Sequence, residues 1–136
     1  MSCGCNGSGN DATVFAGIDL CREGINICCQ GLNSVRNNNV RNGIDEISNG
    51  ICLCLRGIRR IRRVNSRFNR RSSVISRALR RCCQELSNIN FGCCEIARNN
   101  IELGVVDVNE AICAFEQSLN VIEADFENGG STCNNC

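Results

Sequence analysis

The sequence predicts an all-α fold: an up-down bundle of about four helices, with Cys-bearing tails at both ends. Three observations carry this prediction. Apolar residues recur at alternating steps of four and three, the period of helices packed side by side. Asn clusters break that period where helical hairpins would reverse. Ile and Val are frequent, but they keep the heptad period and not the two-residue period of a strand.

Taken in order, Val14, Ile18, Cys21, Ile25, Cys28, Leu32 and Val35 form the first stripe. Val40, Ile44, Ile47, Ile51, Cys54, Ile58 and Ile61 form the second. Phe68, Ile75, Leu79, Cys82, Leu86, Ile89, Cys93 and Ile96 continue the period, with polar Asn65 and Ser72 interrupting it. Ile101, Val105, Val108, Ile112, Phe115, Leu119, Ile122 and Phe126 form the last. The expected helices cover about residues 11–35, 39–64, 72–97 and 100–127, between tails at 1–10 and 128–136. Asn37-Asn38-Asn39 and Asn99-Asn100 mark the first and third turns. The second break, between Asn65 and Ser73, leaves open one long helix in place of two, and Gly92 is an alternative boundary. A weak repeat offset by 61 residues, around Gly43-Ile44 and Gly104-Val105, suggests two duplicated hairpins.

Composition narrows the function. The chain has 136 residues, 14 of them Cys, and neither His nor Pro nor Trp nor Tyr. It also has no Lys. A chain this long buries a core without disulfides, so the cysteines call for a further explanation. Without His or Lys, most general-base and Schiff-base chemistry is closed, and a thiol nucleophile lacks a His to activate it. An enzyme is not expected. No run of about 18 apolar residues is present, which argues against a transmembrane helix. The opening Met1-Ser2-Cys3-Gly4-Cys5-Asn6-Gly7 has neither a basic nor an apolar signal region, so synthesis in a cytoplasm is expected, with oxidation met later.

Charge is segregated although the formal net charge is only +1. Arg56, Arg59, Arg60, Arg62, Arg63, Arg67, Arg70, Arg71, Arg77, Arg80 and Arg81 fill a stretch without acids. Beyond Asn99 there is no basic residue, while Glu102, Asp107, Glu110, Glu116, Glu123, Asp125 and Glu127 follow. The two sets could neutralise each other within one chain. They could instead form a charge-complementary interface between subunits, with Arg56, Arg59, Arg60, Arg63, Arg67, Arg70 and Arg71 facing Glu102, Asp107, Glu110, Glu116 and Glu123 of the next. Arg suits such a contact because its planar fork bonds carboxylates bidentately. Phosphate binding ranks third, given the small net charge and the lack of Tyr or Trp platforms for single strands.

The cysteines fall into three groups. Cys21, Cys28, Cys54, Cys82 and Cys93 sit on the stripes, where a core role is the default. Together they are also the candidate metal set, with Cu(I) the ion that soft thiolates would favour. Many inward cysteines make the chain similar to copper-storage four-helix bundles. It departs from them in lacking repeated Cys-x-x-x-Cys spacing, which places the metal reading second. Cys29, Cys52, Cys83, Cys94 and Cys113 are secondary disulfide candidates between helices or subunits. Cys3, Cys5, Cys133 and Cys136 lie in Gly/Asn/Ser tails and are the candidate intersubunit crosslinkers. A ten-residue Gly-rich arm reaches roughly 16–19 Å, enough to touch a neighbour.

This cysteine-rich chain, with its Met1-to-Cys5 opening and Asn/Gly/Cys tails, resembles the coat, exosporium and appendage proteins of bacterial endospores. The resemblance implies a homopolymer, a filament or lattice assembled on the spore surface and fixed by disulfides. Its partners would be further copies of itself, with other cysteine-rich surface proteins as additional candidates. The expected reading is therefore a self-assembling structural protein. The Cu(I)-binding bundle stands second and an Arg-helix nucleic-acid module third.

Overall fold

The computed structural model describes residues 14–67 and 72–127. Four helices fill them: α1 (Val14–Arg36), α2 (Val40–Arg67), α3 (Ser73–Ala97) and α4 (Ile101–Glu127). No strand is present among the described residues. The expected bundle is thus the observed one, and the boundaries agree within a few residues. The expected start at residue 11 lies outside the described residues. α2 and α3 are separate helices packed against each other, and Gly92 lies within α3.

Along the described residues each stripe becomes the packed face of its helix, and together they form one core running through Ile18, Ile25, Ile58, Ile89, Phe115 and Ile122; Phe68 lies outside the described residues. α1 against α2 and α3 against α4 are the two largest interfaces, with smaller ones between α2 and α3 and between α1 and α4. The order round the bundle is therefore α1-α2-α3-α4, with α1 diagonal to α3 and α2 diagonal to α4.

Two turns are built alike. Asn38 and Asn99 adopt φ of 68° and 76°. Asn tolerates this left-handed conformation better than most residues because its short polar side chain can bond the local backbone. Asn39 N–H donates to the Ser34 carbonyl and Asn38 N–H to the Val35 carbonyl. The same pair recurs 61 residues later, Asn100 to Glu95 and Asn99 to Ile96. Both are Schellman closures, which satisfy the last carbonyls of a helix. The Asn39 and Asn100 carbonyls then accept from Gly43 and Gly104, opening α2 and α4. One residue thus serves as the end of one helix and the cap of the next, and the hairpin repeat is reproduced down to single hydrogen bonds.

The polar interruption of the stripe marks the second reversal. Ser72 caps α3, its hydroxyl accepting from Ile75 N–H at 3.1 Å and donating to Asp125 at 2.8 Å. Asn65, buried at the end of α2, accepts from Ser72 N–H and donates to the Ser76 hydroxyl. The two residues that break the apolar period satisfy each other.

Glycines set the spacing of the first hairpin. Gly17, Gly24 and Gly31 recur every seventh residue on α1, and Gly43, Gly50 and Gly57 do so on α2. They meet in three pairs across an antiparallel seam. A Cβ on Gly24 would stand 2.5 Å from the Gly50 carbonyl oxygen and 2.6 Å from Cys54 Sγ, closer than any side chain tolerates. The second hairpin keeps only one such pair, Gly92 with Gly104.

Candidate functional site

The core thiols are explained first by this seam. Cys21 lies over Gly57, Cys28 over Gly50 and Cys54 over Gly24, while Ile61, Ile47 and Val35 cover the outer glycines. A sulfur fills the small space left where two backbones approach. It also donates to nearby carbonyls: Cys21 to Cys54 and Cys54 to Cys21, each at 3.5 Å, and Cys28 to Ile47 at 3.6 Å. Cys93 reaches across to the Ile44 carbonyl of α2 at 3.9 Å. Burial pushes the Cys28 and Cys82 thiols up to about 12, with neighbouring thiols adding to it. Cys21, Cys54 and Cys93 are raised for the same reason. Among the described residues, no three His, Cys, Asp or Glu side chains gather as a group able to hold a metal ion. The five stripe cysteines are buried as expected, and Cys54 lies near enough to Cys21, Cys28 and Cys82 to be raised by them.

The secondary candidates are placed differently. Cys29, Cys94 and Cys113 are exposed, and Cys83 and Cys52 are half-buried. Cys29 on α1 is raised by partial burial and by Glu116 and Cys113 of α4, which places it on the α1–α4 side. Cys83 receives the Arg62 guanidinium at 3.5 Å across the α2–α3 side. Cys3, Cys5, Cys133 and Cys136 lie outside the described residues.

The basic residues of α2 and the acidic residues of α4 lie on diagonal helices, while α3 places further arginines beside α4. Arg59 and Arg63 are exposed on α2, and Arg56 and Arg60 are half-buried there. Arg77, Arg80 and Arg81 are exposed on the adjoining half of α3. Arg67 ends α2, while Arg70 and Arg71 lie outside the described residues. The acidic helix α4 sits diagonal to α2. Glu102, Glu110 and Glu116 are exposed on it, and Asp107 and Glu123 are half-buried. Complementary charge is therefore not spent by laying α4 along α2. An ion pair joins α4 to α1: Arg22 to Glu123 at 2.7 Å, with Arg22 also bonding Asn120. Its hydrogen bond holds Glu123 below the usual carboxylate range and Arg22 above its own.

One end of the bundle gathers these features. Val14, Arg67, Ser73 and Glu127 share it, as the edge-to-face contact of Phe15 with Phe126 at 5.4 Å and the Ser72–Asp125 bond require. Arg56, Arg59, Arg60, Arg62, Arg63 and Arg67 of α2 and Arg77, Arg80 and Arg81 of α3 lie in the half of the bundle nearest this end, while Arg41 sits by the Asn turns at the other. The glycine seam was the feature not anticipated, although its seven-residue spacing is plain in the sequence. No helix of the described residues is long and apolar enough to cross a membrane. Comparison with protein-family models, curated proteins and solved structures returns no match.

Proposed function

We propose that this protein is a structural subunit that assembles with copies of itself into a polymer, steered by charge and fixed by disulfides between subunits. The observation that carries the reading is the diagonal placement of acidic α4 and basic α2. Arg56, Arg60 and Arg63 of α2 and Glu102, Glu110 and Glu116 of α4 do not face each other within one chain of little net charge, so each set is available to the other on a neighbour. A contact between two different surfaces is heterologous and extends into a filament or lattice unless rotation closes it.

Exposed free thiols at Cys29, Cys94 and Cys113 supply covalent fixation once the surroundings are oxidising. Cys3, Cys5, Cys133 and Cys136 are proposed as the main staples, because both of their segments join the bundle at its arginine end. The spore surface, implied by the resemblance, is a setting in which such bonds would persist after the producing cell lyses. The core thiols serve packing in this account, Cys21, Cys28 and Cys54 each lying against a glycine of the facing helix.

Replacing all four tail cysteines by serine tests the staples. The variant should still form polymers, but these should dissolve in hot detergent without reductant. Polymers as resistant as those of the parent would refute the role given to the tails.

A further inference from the structure

The two hairpins differ on their outer faces in a way that makes one the counterpart of the other. On α1 and α2 the three glycine pairs draw the helices together. Leu20, Ile27 and Leu53, all half-buried, hold the positions that Arg81, Asn88 and Ala114 of the opposite outer face hold 61 residues on, and so mark an aliphatic ridge on this face. At the positions 61 residues on, Gly24 and Gly50 are replaced by Glu85 and Ala111, and Gly17 and Gly57 by Ala78 and Ser118. These larger groups fall in the middle and far part of the α3–α4 seam, and the outer face opens there. Two grooves of about 580 and 470 Å³ run end to end along it, sharing Glu85 and Ala114. Small side chains form the floor: Ala78, Ala111, Ala114 and Ser118. Apolar residues stand unburied at the rims, with Val74 40%, Val121 44% and Phe91 57% exposed.

Ridge and groove have the same electrical polarity, although their arginines do not occupy corresponding positions of the 61-residue repeat. The groove carries Arg77 and Arg81 toward the end where α3 begins, and Asp107 and Glu110 toward the Asn turn. The ridge carries Arg56 and Arg60 toward the same end and Glu46 toward its own turn. Stacking ridge on groove in parallel would oppose like charges. Inverting the second copy lays α2 along α4 and sets Arg56 and Arg60 against Asp107 and Glu110.

We infer that the outer groove of α3 and α4 receives the outer ridge of α1 and α2 from a second, inverted copy of this chain. The inference rests on the polymer reading and names its growth contact. Ridge and groove are different surfaces of one subunit, so each bound copy presents a fresh groove or ridge and the contact does not close.

The test uses the full chain under reducing conditions, with sedimentation as the readout. Leu53→Arg blocks the ridge and Ala114→Arg blocks the groove. Each variant alone should remain monomeric, whereas an equimolar mixture should give a one-to-one dimer through the single intact ridge and groove. A mixture that stays monomeric would overturn the inference. So would assembly of Leu53→Arg by itself, since the groove would then be pairing with another groove. Substitutions on the charged margins leave the core untouched and keep the test open if either variant misfolds. Arg60→Glu or Glu110→Arg should each raise the critical concentration for assembly about 5-fold, the scale of a surface ion pair, and the double swap should restore it. Failure of that restoration also overturns the contact. Parent protein that polymerises while these tests fail leaves the polymer reading standing with a different contact; parent protein that never polymerises sinks both.

Discussion

Cys21, Cys28 and Cys54 each lie against a glycine of the facing helix, and their environment fixes their chemistry. A buried thiolate is costly, so these groups stay protonated and inert, while thiols at the surface react. Alkylation of the native, reduced protein should therefore label Cys29, Cys94 and Cys113 first and Cys83 more slowly. Cys21, Cys28, Cys54, Cys82 and Cys93 should react only on unfolding. Peptide mapping by mass spectrometry reads this order directly, and early labelling of Cys54 would contradict the packing described. The same burial makes stability depend on alkaline pH. A thiol whose folded-state pKa is raised contributes fully below its unfolded value and loses that contribution as pH rises toward the folded value. For Cys28 and Cys82 the window runs from 9.0 to about 12. Each should cost up to about 1.4 kcal/mol per pH unit within it. Denaturation midpoints measured across that range should fall steeply, and Cys28→Ala should flatten part of the fall.

At the scale of elements, the glycine seam and the Asn turns decide how the helices meet. Gly24→Ala would drive a methyl into the Gly50 carbonyl and Cys54, neither of which can give way cheaply. A loss of about 3 kcal/mol is expected in chemical denaturation, the upper part of the range for overpacked sites. Ala at Asn38 or Asn99, where φ is 68° and 76°, should cost about 1–2 kcal/mol, whereas Gly at either should be tolerated. The heptad stripes and Asn turns were legible because each leaves a local mark on the chain. So did Asn65 and Ser72, whose break in the period signals a reversal. The seam depends on two seven-residue glycine series meeting across helices, and a reading guided by apolar residues alone passes over it. Which surface each arginine shares with which acid was not legible, since that follows from the order of helices round the bundle.

For the whole molecule, basic α2 and acidic α4 stand on diagonal helices. The Arg22–Glu123 pair has a pH signature. Because Glu123 is held below its usual range, its contribution is complete above the ordinary carboxylate value and is lost as pH falls through the lowered one. Glu123→Gln should remove that acid-side dependence while leaving helicity by circular dichroism unchanged. Association between subunits should likewise weaken as salt rises, because contacts at exposed charged faces are screened within about 8–10 Å at physiological ionic strength. Assembly fixed by disulfides is tested most directly by negative-stain imaging of the purified, air-oxidised protein, followed by a denaturing gel of the same sample with and without reductant. Ordered filaments or sheets that enter the gel only when reduced are the predicted result. A uniform monomer or dimer, indifferent to reductant, would contradict it.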